Sequence, residues 1–308
     1  MKQYLVRRAL QCLPVLVMVV LIGFALIRMM PGDSAQTALG EKATAQELAD
    51  ERRRQGLDKP VVVQLVIFVK QLVTLDLPRT IEGNRPIPEY IGSRFVTTLK
   101  LGLGAMLVAL VFGVGMGLLS ARWPGGAVDW GARVASVGGV SVPVFWLAML
   151  LVALFAHRLG WLPSSGDDSL RHWVLPCLAL GLIYSASLAR VSRAALLEEL
   201  TKPYCTTARA KGLSRWGVLV HHALPNAMIP MVTVIGSQLA GLLTGAVLTE
   251  TVFLLPGLGT LFLDAIKVQD RYLLVTVMLF IALIFVLINF AADVVYAWLD
   301  PRVRYGRV

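Results

Sequence analysis

The chain has 308 residues, of which 56% are hydrophobic and 16% charged, and its mean hydropathy is +0.70. A soluble globule cannot hide that much apolar surface, because part of every globule faces water, so these values exclude an ordinary soluble protein. The formal charge of +10 would raise the question of nucleic-acid binding in a soluble chain; in a membrane protein the distribution of the charges decides what they mean.

Apolar stretches long enough to cross about 30 Å of hydrocarbon recur along the chain. Backbone exposed to lipid must satisfy its own hydrogen bonds, and a helix does so locally. The expected fold class is therefore an all-α polytopic membrane protein with about six transmembrane helices. The predicted spans are residues 9–30, 98–121, 134–156, 173–190, 227–249 and 273–299.

The first predicted domain is a retained N-terminal transmembrane helix, residues 1–30, because its apolar stretch is longer than a signal-peptide core. Residues 31–96 are predicted to be extracytoplasmic, and their acidic and basic residues balance. Within them, Val61–Leu75 has apolar residues at helical spacing but is too short to span, which predicts an external amphipathic helix. Prolines at 78, 86 and 88 predict an irregular stretch that leads into the second span.

Lys and Arg in the short loops orient the chain. Residues 97–299 are predicted to form a five-helix core with a cytoplasmic loop at 191–226, and residues 300–308 a cytoplasmic tail. With both termini inside, the short outer loops hold few basic residues, and the net charge reflects membrane topology with no need for nucleic acid. Those outer basic residues are Arg158, Arg171, Lys267 and Arg271.

The loop at 191–226 contains a series of helix start and stop signals. Pro203 suits the first turn of a helix, and Gly212 suits the left-handed position just past a helix end. Ser214 is a candidate cap of a second helix, which Pro225 is expected to stop. We therefore expect two short helices at an angle, joined at Gly212, beneath the membrane.

Small side chains at Ala208 and Ala210 would give the first of these helices a low-profile surface for another protein. The alternative is a basic loop that only fixes topology, although it carries more basic residues than topology requires. His221 and His222 are adjacent, so on a helix they point about 100° apart. No third ligand accompanies them, and we predict no metal site.

Thr206-Thr207-Ala208-x-x-x-Gly212, followed after nine residues by His222-Ala223-Leu224-Pro225, resembles the EAA loop of permeases of binding-protein-dependent ABC importers. The residues at 207–214 resemble the dipeptide, oligopeptide and nickel branch of that family, of the dipeptide permease B-subunit type. The first position of the loop is Thr206, where the family has glutamate and this branch often has arginine. Further motifs extend the resemblance over nearly the whole chain: Pro31-Gly32-Asp33, Gly160-Trp161-Leu162-Pro163, Glu250-x-x-Phe253-x-x-Pro256-Gly257 and Asp300-Pro301-Arg302.

The resemblance implies an ABC type I importer permease fold in the bacterial cytoplasmic (inner) membrane. It also implies a second homologous permease subunit, two cytoplasmic ATPase subunits and an extracytoplasmic solute-binding protein as partners, besides membrane lipid. In the family this loop forms the coupling helix that docks in a groove of the ATPase. The residues it assigns to docking are Tyr204, Thr207, Ala208, Arg209, Ala210, Lys211, Gly212, Leu213 and Ser214.

The chain contains no G-x-x-x-x-G-K-[ST], G-x-S-x-G or H-E-x-x-H motif, and therefore lacks the residues of a nucleotide-binding loop or of the common hydrolases. We predict that the chain is not an enzyme and binds no cofactor itself. ATP and Mg are expected on the partner ATPase.

Polar residues inside the spans are candidates for a substrate path or a gate. A carboxylate that faces lipid costs free energy, so Asp293 is expected to face protein or water. It is either an anchor paired with a basic residue near the cytoplasmic end or part of a gate. Glu250, at the outer end of span five, is a candidate contact for substrate or binding protein. The full candidate set is Ser237, Gly241, Gly245, Glu250, Asn289 and Asp293.

Small residues at helical spacing have two interpretations. Gly113 and Gly117 in span two, and Ser237, Gly241 and Gly245 in span five, let helix backbones approach closely. They either pack helices within one subunit or, for the span-five row, lie at a pore or a subunit seam.

Peptides are the substrate that the resemblance favours, and nickel, a metal–chelator complex or glutathione remain alternatives. A different class, a secondary transporter driven by an ion gradient, would use Asp293 as its coupling site.

Overall fold

The computed structural model describes residues 2–30, 43–54 and 56–299, and all the regular elements within those ranges are helices. The predicted tail at 300–308 lies outside the described residues. The α-helices are α1 (Lys2–Met29), α2 (Ala45–Arg54), α3 (Val61–Thr74), α4 (Ile87–Arg122), α5 (Ala127–Ser141), α6 (Val144–Leu151), α7 (Leu170–Leu200), α8 (Pro203–Ala210), α9 (Arg215–Val218), α10 (Leu224–Gly245), α11 (Val247–Val252), α12 (Leu258–Lys267) and α13 (Arg271–Leu299), and the segments Val152–Arg158 and Leu219–Ala223 are π-helical.

Within the described residues, five helical stretches are long and apolar enough to cross a membrane. A sixth crossing arises if α5 and the helix that follows it, Val144–Arg158, count as one bent span. These numbers agree with the predicted fold class of about six spans. The five stretches are Val6–Met29, Ile87–Arg122, Leu170–Leu200, Arg215–Leu243 and Arg271–Tyr296.

The third span is not the single straight helix predicted at 134–156. Val142 and Pro143 are extended, with ψ of 124° and 136°, and the two helices meet at 107°. A proline disfavours the helical conformation in the residue before it, which explains why α5 ends at Ser141.

The second span begins at Ile87, well before the predicted residue 98. Pro88 lies in the first turn, where its missing N–H leaves no hydrogen bond unmade. The irregular stretch predicted from the prolines therefore ends at Pro86, which forms an isolated antiparallel bridge with Arg79.

The described residues divide into two compact units. One comprises 2–9, 98–255 and 284–299, and the other comprises 10–30, 43–54, 56–97 and 256–283. In the second unit the predicted amphipathic helix is present as α3, whose Phe68 is buried with its ring 5.9 Å from Phe24. The core of this unit includes Ile87, Leu261 and Val277.

In the first unit, α5, α6 and α10 all pack against α7. The helix α4 also approaches α7 closely, because Gly113 and Gly117 face it. A Cβ atom at Gly117 would lie 2.5 Å from the Cβ of Ser192, and one at Gly113 would lie 3.0 Å from the carbonyl oxygen of Ser185. These two glycines therefore pack helices within the subunit.

Candidate functional site

The first half of the loop at 191–226 folds as its capping signals predict. The backbone of Lys202 is extended, Pro203 opens α8, and the helix ends at Ala210. Gly212 has φ of +88°, in the region that glycine adopts without strain. The hydroxyl oxygen of Ser214 accepts a hydrogen bond from the Gly217 N–H at 3.1 Å, which caps α9.

The expectation that Pro225 stops the second helix is wrong. The chain stays helical from Arg215 to Leu243, so this helix is the extension of span five. A proline inside an α-helix removes a hydrogen bond and collides with the carbonyl four residues earlier. The π-helical segment Leu219–Ala223 widens the turn ahead of Pro225, and the chain continues without a break.

One face of α8 is buried within the chain. The side chains of Cys205 and Ala208 are 0% and 5% exposed and pack in an apolar cluster with Val218, Leu219 and Ala223. Burial raises the pKa of the Cys205 thiol, which keeps it protonated and unreactive. Ala208 therefore does not contribute to the surface that the sequence assigned to it, and its small size serves close packing instead.

The opposite face of α8 and the turn that follows it are exposed. This surface carries the remaining residues that the family resemblance assigns to docking. They are Tyr204, Thr207, Arg209, Ala210, Lys211, Gly212, Leu213 and Ser214.

Hydrogen bonds join α8 to the end of α7. The Arg209 guanidinium donates from Nη2 to the Leu200 carbonyl oxygen at 2.6 Å, and the Tyr204 hydroxyl donates to the Glu199 carboxylate. Partial burial and this hydrogen bond raise the pKa of Tyr204, so the phenol stays a donor. These two hydrogen bonds attach α8 to the end of α7.

Sequence reasoning missed a buried ionic network on the same unit. Asp129 is 0% exposed and accepts hydrogen bonds from Arg193, from the Ser120 hydroxyl and from the Gly125 N–H, the last at 2.9 Å. The network attaches the turn between α4 and α5 to α7. An acidic residue in the first turn of α5 was the only local signal, since its partner lies 64 residues away.

Asp293 forms an ion pair with Arg8, with Oδ2 3.4 Å from Nη1. This pairing matches the anchor interpretation, in which a basic residue near the same end of the span balances the carboxylate. Asn289 donates to the carbonyl oxygen of Phe285 in its own helix at 2.8 Å.

The other intramembrane candidates do not converge on one site. Glu250 is 0% exposed and accepts a hydrogen bond from the Thr98 hydroxyl at 2.6 Å. A Cβ atom at Gly241 would lie 3.3 Å from the Tyr184 hydroxyl, which places Gly241 against α7. Ser237 is exposed and donates to Val234 of its own helix. Gly245 ends α10.

The chain is similar in sequence to known membrane transport proteins. The family described as binding-protein-dependent transport system inner membrane component matches residues 113–305, and its N-terminal component matches residues 1–101. A dipeptide transport system permease protein from Alkalihalophilus pseudofirmus is 38% identical, over 99% of this chain and all of the relative. A glutathione transport system permease protein from Escherichia coli strain K12 is 39% identical with the same coverage.

Two kinds of solved structure resemble the chain in fold. The inward-facing methionine ABC transporter has a TM-score of 0.56 and 20% identity, covering 70% of this chain and 98% of the solved chain. An amino acid ABC transporter solved with histidines has a TM-score of 0.52 and 17% identity, covering 70% and 94%. The fold is that of an ABC type I importer permease, and the chain belongs to the family of binding-protein-dependent transport system inner membrane components, which are permease subunits of ABC importers.

Proposed function

We propose that the chain is the transmembrane permease subunit of an importer that moves di- or oligopeptides across the cytoplasmic membrane. ATP and Mg bind to a separate ATPase, two copies of which serve one assembly. A second homologous permease subunit completes the membrane part, and an extracytoplasmic solute-binding protein delivers the substrate. Both termini are cytoplasmic, which follows from the distribution of Lys and Arg.

The attachment of α8 to α7 is the observation that carries this proposal. The exposed face of α8 is the docking surface for the ATPase, and the buried face packs on the extension of span five. Closure of the ATPase pair displaces α8. Because Arg209 and Tyr204 are hydrogen-bonded to the end of α7, the displacement reaches the helix against which α5, α6 and α10 pack. The cavity then alternates between outward and inward access.

Peptides are proposed as the substrate because one relative is a dipeptide transport system permease protein. Glutathione is the nearest alternative, because it is a short peptide and the other relative is a glutathione transport system permease protein. Nickel and metal–chelator complexes are more distant alternatives. Uptake of labelled dipeptide, glutathione and Ni²⁺ by the complete transporter in proteoliposomes separates them. Uptake of glutathione or Ni²⁺ without uptake of dipeptides would overturn the peptide assignment.

The alternative of an ion-gradient-driven transporter, with Asp293 as its coupling site, conflicts with the family to which the chain belongs. A coupling carboxylate has to bind and release the ion in each cycle. Asp293 is instead paired with Arg8, which favours a structural role and hence the ATP-driven reading.

The docking surface is tested with an aspartate on its exposed face. In Ala210→Asp the new carboxylate would have to be desolvated at the contact with the ATPase, so we expect loss of ATPase co-purification and at least about tenfold slower uptake. The control is Ala127→Asp, an exposed position in the first turn of α5, where an acidic residue suits the helix dipole. An Ala210→Asp variant that retains the ATPase would contradict the proposed coupling surface.

A further inference from the structure

A cavity lies beside α8, within the unit that comprises 2–9, 98–255 and 284–299. Its volume is about 350 Å³, which is in the range of sites for small ligands. The floor is apolar and comes from the ends of α4 and α7, from α9 and from the π-helical segment that follows α9. We call it the arginine pocket; its floor residues are Ala121, Leu197, Leu200, Val218 and Leu219, and its rim carries Arg122, Arg209 and Arg215.

The charge of the three rim arginines is not balanced within the part of the chain that the structure describes. Among the described residues, none of the three forms an ion pair with a carboxylate. The Nε atom of Arg122 is buried and has no hydrogen-bond partner within the part of the chain that the structure describes. A buried donor without a partner costs free energy, and three unbalanced guanidinium groups create a strongly positive site. The pocket is therefore suited to an anion.

Two tryptophans indicate where this pocket lies relative to the bilayer. Trp123 follows Arg122 directly and stands edge-on to Trp216 at a ring distance of 6.3 Å, and the two side chains are 43% and 40% exposed. The guanidinium of Arg122 is 5.0 Å from the centre of the Trp123 ring. Exposed tryptophans at the ends of transmembrane helices are typical of the membrane–water interface. A tryptophan pair of this kind would place the mouth of the pocket at headgroup depth.

We propose that the arginine pocket binds the phosphate-bearing headgroup of an anionic phospholipid. The guanidinium groups of Arg122 and Arg215 hold the phosphate, for which arginine offers a planar set of donors, while Arg209 remains bonded to the Leu200 carbonyl and adds positive charge to the rim. The apolar floor covers the glycerol backbone and the start of the acyl chains. In the orientation proposed above, the lipid belongs to the cytoplasmic leaflet, where anionic headgroups attract basic residues.

An acidic side chain of the ATPase is the other occupant that the positive charge would suit. The apolar floor and the exposed tryptophan pair favour lipid, because acyl chains can cover the apolar floor, which a carboxylate cannot, and tryptophan is enriched at the membrane–water interface. The proposal requires membrane insertion only, so it stands or falls independently of the peptide substrate and of docking at Ala210.

The test uses the assembled transporter in nanodiscs of phosphatidylcholine mixed with phosphatidylglycerol. Bound lipids are counted by native mass spectrometry in the parent protein and in the double variant Arg122→Gln/Arg215→Gln. We expect phosphatidylglycerol to be retained selectively by the parent. Retention should be about 25-fold weaker in the double variant, because each basic residue near an anionic surface is worth about fivefold.

Two further variants keep the test decisive. Arg190→Gln removes an equal charge from an exposed position of α7 outside the pocket and should leave retention unchanged. The single variant Arg215→Gln alters an exposed side chain, should fold normally, and should weaken retention about fivefold. If Arg190→Gln and Arg215→Gln weaken the retention of phosphatidylglycerol equally, the attraction is non-specific and the proposal is wrong.

Two further measurements distinguish a lipid phosphate from free phosphate and from an acidic group of the ATPase. Inorganic phosphate added to nanodiscs of phosphatidylcholine alone should not occupy the pocket, and occupation by free phosphate without selectivity for phosphatidylglycerol would overturn the lipid assignment. If the double variant loses the ATPase while its phosphatidylglycerol count stays at the parent level, the pocket holds an acidic group of the ATPase and the proposal is wrong.

Discussion

The Arg193 guanidinium donates two hydrogen bonds to the buried Asp129 carboxylate, from Nε to Oδ1 at 2.6 Å and from Nη2 to Oδ2 at 2.9 Å. Removing one partner of a buried ion pair leaves the other charge uncompensated. We therefore expect Asp129→Ala to lower the free energy of unfolding by about 3 kcal/mol, the low end of the usual range, because the Arg193 side chain is 26% exposed.

Thermal unfolding of the detergent-purified protein measures this loss, and Arg133→Gln is its control. Arg133 contacts the same carboxylate at 3.5 Å, but its side chain is 51% exposed. An exposed ion pair contributes less than about 1 kcal/mol. Similar losses of stability in Asp129→Ala and Arg133→Gln would contradict the larger contribution expected of the buried bidentate pair.

The contact of α4 with α7 predicts opposite effects for two neighbouring glycines. In Gly117→Ala the new methyl group would lie 2.5 Å from the Cβ of Ser192, so the helices must separate, at a cost of about 1–3 kcal/mol. In Gly115→Ala the methyl group meets nothing within 4 Å, and the gain in helix propensity is about 0.5–1 kcal/mol. The two melting temperatures should move in opposite directions; a shift of the same sign in both would refute the packing argument.

Replacing Asp293 tests whether its role is structural. We expect Asp293→Asn to retain most of the ATP-driven uptake and to lose about 1 kcal/mol of stability, since the pair with Arg8 is partly exposed, with side-chain values of 31% and 43%. The charge-swapped variant Arg8→Asp/Asp293→Arg should recover that stability. Uptake that disappears in Asp293→Asn at normal protein levels would support the ion-coupled alternative.

The backbone of Gly212 makes a separate prediction about the end of α8. A Cβ atom there would meet nothing within 4 Å, so only the positive φ of +88° opposes a side chain. Gly212→Ala should cost about 1–2 kcal/mol and weaken ATPase binding by about tenfold, which a titration of the ATPase onto the reconstituted permease measures. Gly212→Asn should weaken it less, because asparagine tolerates left-handed backbone better. Binding equal to that of the parent in both variants would show that the turn at Gly212 does not position the docking surface.

The predictions that succeeded rest on local backbone chemistry. Pro203, Gly212 and Ser214 each act within a few residues of their own position, and α8, its end and the cap of α9 follow from them. The long apolar runs similarly indicate membrane helices, because lipid imposes the same requirement on every segment.

The predictions that failed depend on neighbours that are distant in sequence or on a rare helix geometry. Ala208 is buried because Val218 and Leu219 pack against it. The hydrogen-bond partner of Glu250 is Thr98, 152 residues away, which no local pattern could have identified. The π-helical turn before Pro225 is a geometry that propensity rules do not anticipate. The bend at Pro143 did have a local signal in the restriction that a proline places on the preceding residue.

That bend has a consequence for how the chain enters the membrane during synthesis. Ala127–Ser141 is about 22 Å long at 1.5 Å per residue, and Val144–Arg158, which has the same number of residues and ends in a π-helical segment, is no longer. Each half is therefore shorter than the roughly 30 Å of hydrocarbon. Both pack on α7, and a Cβ atom at Gly139 would lie 2.9 Å from the Cβ of Ala186, yet α7 leaves the ribosome only after them. The packing that holds the two halves together can therefore form only after α7 has been synthesised.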